Sequence, residues 1–441
     1  MLTGSSASTS LKDVDWMWKS NQNPCSESEP EKWSHYSDVE NLIINEAFSN
    51  KQPHAMLDDC YIDFEHSLQI LNTDHSQKRP IKQVVRNRED KHLREERFVD
   101  LPVDSARPFG GQYGWVSPFI IEIRRALGLS ENQLPSNNPE LIPMLVEKAA
   151  QGIIAEGKSM GKEQEANKIA KILTAQKNNK VEDVWKCCVY LYTLESFLYK
   201  ILNKTMRLIG SKEDEQNWQS KIHTLGPFCL LLWDDPINER VVRNETLYRG
   251  AKLEPEQIVT YQNMAAEKKY GSFQAFSSCS RNRELFEEFG NTLFIMDVDA
   301  AFIADVNQMS EYPKEEEQLI TPGVCFSVQR VEFDHKTNKH LIYLKLRQRL
   351  SGKHTSEIST FHHINRPKDK FDDYHVGNDA YVLYDNLDYD RDADTMGHVY
   401  GNLLDEHPNY RPPDIDYYDI DNPYYDSRFI NFPYDRDGNE I

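Results

Sequence analysis

Two glutamates two residues apart, Glu315 and Glu317, form the side-chain pair whose spacing points most directly to chemistry. They stand just before an apolar run that begins at Leu319 and is typical of a β-strand. In a strand, residues i and i+2 point to the same face. Strand geometry reaching back to Glu315 would therefore project both carboxylates into one cleft and turn Glu316 away. Such paired carboxylates can stabilise a developing cation with one group and accept a proton with the other.

Two blocks upstream carry groups that such a site can use. Arg249 follows a short apolar and aromatic run and precedes Gly250, and a guanidinium placed there can offer a planar fork of donors to a pyrophosphate. Residues 271–280 alternate phenylalanine with small polar residues, which predicts one strand with hydroxyls along one side. Taken singly, the first block is also typical of a surface arginine, and the second of an ordinary serine-rich edge strand.

In the order arginine, serine, Glu-x-Glu, the blocks resemble the R-S-E class of mono-ADP-ribosyltransferases. The resemblance covers residues 112–350, and residues 290–296 look like the family's strand between the serine and glutamate blocks. Cys279 stands where the family has the threonine of Phe-x-Ser-Thr-Ser, and Gln318 stands where it usually has an aliphatic residue. The matching segments are Tyr248–Gly250, Phe276–Ser280, Ser310–Pro313 and Glu315–Pro322.

This resemblance implies NAD as co-substrate and a role for each catalytic residue. Glu317 is implied to stabilise the oxocarbenium-like ribosyl cation, Arg249 to anchor the NAD phosphates, and Ser278 to orient Glu317 and the nucleotide. Glu315 is implied to take a proton from the attacking group. In this family Glu-x-Glu accompanies arginine acceptors, so transfer to protein arginines is implied, with NAD hydrolysis as a side reaction. The residues expected to contact NAD are Tyr248, Arg249, Gly250, Ser278, Ser280 and Glu317.

A second resemblance lies in residues 12–90, which look like a WWE domain, a small α+β module with a half-barrel sheet and one helix, expected at residues 38–48. Several WWE domains bind ADP-ribose units of poly(ADP-ribose). Asn45 stands where the family usually has a glutamate, and Tyr61 is shifted by one position from the tyrosine of some binding members. The residues expected to bind ADP-ribose are Trp18, Trp33, Tyr61, Gln69 and Arg79.

The charge pattern favours an anionic ligand for this module. Arg79, Lys82, Arg86 and Arg88 form a basic strip in a chain whose net charge is −20. Trp16, Trp18 and Trp33 can wall a pocket for an adenine ring. The alternative is a protein-interaction scaffold, with the tryptophans in the core and the basic strip solvated.

Composition divides the 441 residues into several parts. We expect disorder in residues 1–11, a linker at 91–111 and a catalytic domain at 112–350. Residues 351–441 are dense in aspartate, tyrosine, asparagine and proline and have few aliphatic residues, which predicts a disordered tail. The tail either keeps the chain solvated or binds a basic partner. The mean hydropathy of −0.70 agrees with ordered domains diluted by polar segments.

Periodicity predicts the fold class of the catalytic part as α+β. Helices are expected at residues 115–127, 139–176, 184–209 and 222–233, with Gly152, Gly157 and Gly161 weakening the second. Residues 324–328 and 339–346 alternate as strands, and Ile342, Leu344 and Leu346 share one face. A helical lobe followed by a largely antiparallel two-sheet β core is therefore predicted.

The remaining features bound location and partners. The seven cysteines are scattered and odd in number, no secretory signal follows Met1, and no apolar run is long enough to span a membrane. We expect an intracellular protein, cytoplasmic or nuclear, that binds neither membrane nor nucleic acid. His362 and His363 lack further ligands at metal spacing, so no metal is expected. Two alternatives to a transferase stay open: an ADP-ribose reader or scaffold, and an NAD glycohydrolase.

Overall fold

The computed structural model describes residues 14–24, 30–85, 117–130, 133–209, 214–236, 244–287 and 289–347. All of them belong to one compact unit. The predictions for residues 1–11, 91–111 and 351–441, and for Arg86 and Arg88, lie outside the described residues.

The N-terminal domain is a six-stranded antiparallel sheet packed on one helix, which agrees with the predicted small α+β module. The strand order is β2-β1-β6-β5-β4-β3. Its core contains Trp16, Ile44, Ile62 and Ile81. The elements are β1 (Val14–Lys19), β2 (Trp33–His35), α1 (Asp38–Ser49), β3 (His54–Met56), β4 (Cys60–Asp63), β5 (Leu68–Leu71) and β6 (Lys78–Val85).

Helix α1 begins where the sequence provides a capping box. Ser37 accepts a hydrogen bond from the Glu40 backbone, and the Glu40 carboxylate accepts one from the Ser37 backbone. The helix then buries two different stripes. Ile44 and Ala47 pack on the domain's own sheet, whereas Val39 and Leu42 belong to the core of the helical lobe that follows in the chain.

The helical lobe contains seven helices among the described residues. Helix α8 begins and ends where the sequence predicts. The long helix predicted at residues 139–176 is interrupted around Gly161, whose φ of +68° turns the chain. The helices are α2 (Pro118–Ala126), α3 (Ile142–Ser159), α4 (Glu163–Thr174), α5 (Val181–Thr193), α6 (Phe197–Arg207), α7 (Glu215–Gln219) and α8 (Ile222–Trp233).

The helix predicted at residues 184–209 is likewise two helices, α5 and α6. Leu194 leaves the helical region with ψ of 144°, and the Ser196 hydroxyl then accepts a hydrogen bond from the Leu198 backbone. A serine N-cap competes with helix continuation because its side chain replaces a backbone acceptor. The apolar periodicity continues across this break, so the sequence pattern does not show where the first helix ends.

The β core is one hydrogen-bonded series of eight strands in the order β11-β12-β9-β7-β10-β14-β13-β8. Neighbouring strands are antiparallel except β10 and β14, which are parallel. The expected two-sheet arrangement is thus continuous in its hydrogen bonding, with one residue pair, Tyr248 and Ser280, linking β7 to β9. The elements are β7 (Glu245–Ala251), α9 (Pro255–Glu267), β8 (Tyr270–Ser272), β9 (Ser277–Ser280), α10 (Glu284–Glu287), β10 (Thr292–Ala300), β11 (Ile303–Asp305), β12 (Glu317–Ile320), β13 (Cys325–Asp334) and β14 (Lys339–Arg347).

The single strand predicted for residues 271–280 is wrong. Its first part, β8, pairs with β13 at one edge of the sheet, whereas β9 pairs with β12 and β7 on the other side of β10. Phe273 and Phe276 between them are buried in two different cores. The alternation is therefore produced by a buried crossing segment as well as by strand geometry. The predicted shared face of Ile342, Leu344 and Leu346 is confirmed, since all three lie in one core.

Candidate active site

The arginine, serine and glutamate blocks lie on three neighbouring strands, β7, β9 and β12. Ser280 is the residue that aligns them, because it pairs with Tyr248 on one side and with Glu317 on the other. Ser278 pairs with Leu319 two positions further along. Segments that are far apart in the sequence thus meet within two strand spacings.

Arg249 is held within this strand trio. Its side chain is buried, and Nη1 donates a hydrogen bond of 2.5 Å to the backbone oxygen of Ser278. Gly250 next to it has no room for a side chain, since an added Cβ would lie 2.7 Å from the Cβ of Phe289. The arginine–glycine pair therefore reflects a close approach between β7 and the segment that contains Phe289.

Glu315 and Glu317 are both fully buried, while Glu316 between them is exposed. The predicted division of the side chains between inside and outside is correct, but the predicted strand geometry at Glu315 is wrong. Glu315 closes a 3-10 turn at residues 313–315, Glu316 adopts the left-handed conformation with φ of 44°, and the strand starts only at Glu317. The turn at residues 313–315 and the left-handed conformation of Glu316 thus place the Glu315 carboxylate in the interior of the protein.

The pKa of Cys279 is affected by charged side chains of the arginine and glutamate blocks. Its thiol is fully buried, and burial raises its pKa well above the ordinary value. The Arg249 guanidinium acts to lower that pKa and the Glu317 carboxylate acts to raise it further. The cysteine that stands in place of the family's threonine is therefore a buried, neutral thiol.

The other residues expected to contact NAD have structural partners here. The Ser280 hydroxyl accepts a hydrogen bond of 2.9 Å from the Asn282 backbone and so caps a turn after β9. Tyr248 is partly buried against the small cluster that contains Phe286 and Phe289. Ser278 is buried and supplies its carbonyl to Arg249.

The helical lobe packs directly against the serine and glutamate strands. The rings of Tyr192 and Phe276 lie 5.5 Å apart, and Leu319 shares the core of the lobe. The strands that carry Ser278 and Glu317 are therefore supported by the helical lobe from that side.

Sequence reasoning missed a contact that Tyr312, close to the two glutamates, makes with the N-terminal domain. Tyr312 lies three residues before Glu315, and its hydroxyl donates to the two carboxylate oxygens of Asp38 at 3.0 and 2.9 Å. Asp38 is the first residue of α1 in the N-terminal domain. The two residues are 274 positions apart, so no local pattern could have linked them.

The residues expected to bind ADP-ribose in the N-terminal domain fall on two faces of its sheet. Trp18, Gln69 and Arg79 share the inner face, as their cross-strand pairing with core residues requires. The Arg79 guanidinium carbon lies 5.2 Å from the Trp18 ring centre, and Nη1 donates to the backbone oxygens of Lys19 and Asn21. These contacts hold the Arg79 guanidinium next to the Trp18 indole ring.

Two other members of that set are elsewhere. Trp33 lies on the opposite face, where Lys82 Nζ is 4.1 Å from its ring centre. Tyr61 also faces outward and lines a separate surface hollow of about 380 Å³. The structure therefore does not bring all five residues together. The remaining residues of the hollow are His54, Met56, Asn72 and His75.

Trp16 is a core residue rather than a pocket wall. It is 5% exposed, and its indole N–H donates to Asn45 Oδ1 at 2.8 Å. Asn45, which replaces the glutamate of the resembled family, thus satisfies a buried tryptophan. One part of the scaffold alternative, that tryptophans are core, is correct for this residue.

Two further observations concern metal ions and membrane-spanning helices. Among the residues that the structure describes, no three histidine, cysteine, aspartate or glutamate side chains cluster in a way that could hold a metal ion. No helix in those same ranges combines the length and apolar character needed to cross a membrane.

Solved structures that match part of this chain include several bacterial ADP-ribosyltransferases and effectors. HopU1 of Pseudomonas syringae pv. tomato is 18% identical, with 40% of this chain and 87% of that one covered and a TM-score of 0.33. XopAI of Xanthomonas axonopodis pv. citri is 15% identical, with 52% and 97% covered and a TM-score of 0.34. Exoenzyme S of Pseudomonas aeruginosa, solved with human 14-3-3 protein beta and carba-NAD, is 17% identical, with 45% and 88% covered and a TM-score of 0.30.

The comparison with curated proteins found no match. The comparison with protein families did find one: the family described as NAD:arginine ADP-ribosyltransferase matches residues 154–351, just under half of the chain. The matched range starts within α3 and includes the strands that carry Arg249, Ser278 and Glu317. Residues 154–351 are therefore an ADP-ribosyltransferase domain.

Proposed function

We propose that this protein transfers single ADP-ribose groups from NAD to arginine side chains of other proteins. The observation that carries the proposal is the meeting of Arg249, Ser278 and Glu317 on three adjacent strands, with Glu315 buried at the turn before the last of them. A buried pair of carboxylates beside a buried arginine supplies both an anion-binding cation and a cation-stabilising anion.

The chemical step would break the bond between ribose C1′ and the nicotinamide nitrogen of NAD. Glu317 would stabilise the positive charge that develops on the ribose, as carboxylates do in glycoside cleavage. Arg249, fixed by the Ser278 carbonyl, would hold the phosphates on the other side of that ribose. Both side chains are buried, which strengthens their electrostatic effect on the reacting group.

Glu315 would make an arginine guanidinium a usable nucleophile. A guanidinium is protonated in water and attacks poorly. A carboxylate that pairs with it can aim one nitrogen at C1′ and accept the proton released when the new C–N bond forms. The separate backbone settings of Glu315 and Glu317 support different roles, because only Glu317 is part of the strand trio.

The direct test is an assay with labelled NAD and a small guanidino acceptor, in which wild type is compared with Glu317→Gln. We expect the wild type to label the acceptor and Glu317→Gln to lose transfer and NAD hydrolysis by at least about 100-fold, since the charge that stabilises the cation is removed. Glu316→Gln is the matched control, because it changes an exposed carboxylate in the same run of three.

The other outcomes would contradict the proposal in distinct ways. Near-normal turnover by Glu317→Gln would remove the catalytic assignment. Free ADP-ribose without labelled acceptor from the wild type would indicate an NAD glycohydrolase or another acceptor. No consumption of NAD would favour a reader or scaffold.

For the N-terminal domain we propose binding of ADP-ribose units, as its resemblance to WWE domains implies. Support comes from the inner face, where Arg79 lies beside Trp18 and Gln69 follows on the next strand. An indole can stack on adenine while the guanidinium binds phosphate. Gln69 already accepts a hydrogen bond from the Tyr36 hydroxyl at 2.7 Å, which fixes its orientation.

Arg79→Ala tests this second proposal. We expect the affinity for a poly(ADP-ribose) oligomer to fall by about 10-fold or more, because a charge-assisted contact is lost. Lys78→Ala is the matched control, since it removes an exposed positive charge from the adjacent position of β6. Equal affinities in a calorimetric titration of the three proteins would instead support an interaction scaffold.

A further inference from the structure

We infer that Asp38 of the N-terminal domain is a positioning residue for the catalytic glutamates, so that the N-terminal domain is a working part of the transferase. The inference rests on the proposed function of Glu315 and Glu317. It concerns the loop at residues 306–316, which leads from β11 to the catalytic strand β12. This loop ends in the turn that places Glu315 inside the protein.

The first observation is the contact that Asp38 makes with this loop. Its carboxylate accepts the Tyr312 hydroxyl at 3.0 and 2.9 Å, and both side chains are at most 9% exposed. The Glu315 backbone N–H in turn donates to the Tyr312 carbonyl at 3.0 Å. A displacement of Tyr312 would therefore be passed on to Glu315 through the same turn.

The second observation is that Asp38 is itself anchored on the catalytic side. Its Oδ2 accepts a hydrogen bond of 2.8 Å from the backbone N–H of Glu195, which lies in the break between α5 and α6. One buried carboxylate thus joins α1, the helical lobe and the glutamate loop. Hydrogen bonds to a carboxylate are stronger and more directional than those between neutral groups, which suits a fixed joint.

The third observation is that α1 is docked on the helical lobe along its whole length. Val39 and Leu42 are buried in the core of the lobe, and Glu46 near the other end of α1 pairs with Lys168 and Lys171. The apolar contact of Val39 and Leu42 and the ion pairs of Glu46 together hold α1 in one register on the lobe. Asp38 is therefore presented to Tyr312 by a rigid element rather than by a loop.

A fourth contact, made outside α1, supplies a control site. Asp58 accepts hydrogen bonds from the backbone N–H groups of Gln164 and Glu165 at 2.7 and 3.3 Å. These groups open α4, whose own N-cap residue, Lys162, makes no side-chain cap. This contact therefore caps a helix of the lobe and involves no residue of the glutamate loop.

The proposal predicts a loss of turnover without a loss of NAD binding. Asp38→Asn keeps the shape but removes the charge, and Tyr312→Phe removes only the hydroxyl. In each variant of the full chain we expect kcat for transfer to fall by about 10- to 100-fold, as for a small misplacement of a catalytic group. The KM for NAD should stay within about twofold, because Arg249, the proposed phosphate-binding residue, lies on β7 and is not part of the loop.

Two controls separate positioning from stability. Asp58→Asn removes the charge and one of the two acceptors from a contact between the same two parts of the molecule, and its kcat should match that of the wild type. The double variant Asp38→Asn/Tyr312→Phe should be no slower than the slower single variant, because both changes break one link. A wild-type kcat in both single variants, or losses that multiply in the double variant, would overturn the inference.

Hydrogen exchange of the amides at residues 310–317 gives a readout that does not depend on activity. Exchange there should be faster in Asp38→Asn and Tyr312→Phe than in wild type and Asp58→Asn. Unchanged exchange would overturn the inference even where kcat falls. If the wild type consumes no NAD, the proposed function fails, while the exchange comparison still decides whether Asp38 holds the loop.

Discussion

Two glutamates of the same type and nearly the same burial occupy different local structures in this protein. Glu317 opens β12 and is tied by strand pairing to Ser280, whereas Glu315 ends a 3-10 turn held by the Tyr312 carbonyl. A carboxylate fixed by a sheet is suited to oppose a charge at one place. A carboxylate at the end of a turn depends for its position on the contacts that hold the turn, here the Tyr312 carbonyl.

Glu315→Gln should separate the two activities. We expect arginine transfer to fall by about 100-fold or more, because the proton acceptor is lost, while hydrolysis of NAD to ADP-ribose persists through Glu317. The ratio of labelled acceptor to free ADP-ribose measures the effect. Equal losses of both activities would show that the two carboxylates do not have separate roles.

At the scale of elements, the contact between α3 and α8 explains why α3 contains Gly152, although glycine has a low helix propensity. Gly152 lies in the middle of α3, where glycine weakens a helix. A Cβ added there would lie 1.9 Å from the backbone oxygen of Thr224 in α8. The two backbones therefore approach as closely as they do because position 152 has no side chain.

Gly152→Ala should consequently destabilise the protein although alanine favours helix. Overpacking at a backbone-to-backbone contact costs about 1–3 kcal/mol or more, which exceeds the gain of about 1 kcal/mol in helix propensity. Thermal unfolding followed by circular dichroism measures the change in Tm. Gln151→Ala, at an exposed neighbouring position of α3, should leave Tm nearly unchanged, and a higher Tm for Gly152→Ala would contradict the close approach.

At the scale of the whole molecule, the junction between the N-terminal domain and the helical lobe contains a buried carboxyl group that titrates near neutrality. Burial raises the pKa of Glu165 to about 7, and the nearby carboxylates of Glu40 and Asp58 raise it further while Lys162 lowers it. The Glu165 carboxylate also accepts the Phe197 backbone N–H at 2.8 Å. The charged form is therefore tolerated but costly in this setting.

The stability of the protein should fall as Glu165 ionises. Because its folded-state pKa lies above the ordinary value of 4.5, its contribution to the free energy of unfolding is fully present below that value and is lost as the pH rises through about 7. The difference corresponds to about 3 kcal/mol. Glu165→Gln, which keeps the acceptor for Phe197, should therefore have a Tm like wild type at pH 4.5 and a higher one at pH 8.

The matched control for this comparison is Glu163→Gln, which changes an exposed carboxylate in the first turn of the same helix. We expect its Tm to follow that of the wild type at both pH values. A Glu165→Gln variant whose Tm differs from wild type by the same amount at pH 4.5 and pH 8 would show that the carboxyl group does not titrate in this range.

The sequence by itself determined the order of the arginine, serine and glutamate blocks, the interior placement of Glu315 and Glu317, and helices such as α8. These follow from residue types and from periods of two and about 3.6, which act over a few neighbours. The glycine at position 161 weakened the predicted helix without locating its end, and the break at Ser196 escaped the pattern because apolar spacing continues across it.

Only the tertiary structure decided which segments meet. It placed β7, β9 and β12 side by side, turned Tyr61 away from Gln69, and brought Asp38 to Tyr312 across 274 positions. Such contacts depend on how apolar faces pack once loops have closed. The local sequence around Asp38 or Tyr312 does not indicate that the other residue is its partner. The arginine, serine and glutamate blocks could thus be recognised from the chain, whereas the contact between Asp38 and Tyr312 required the fold.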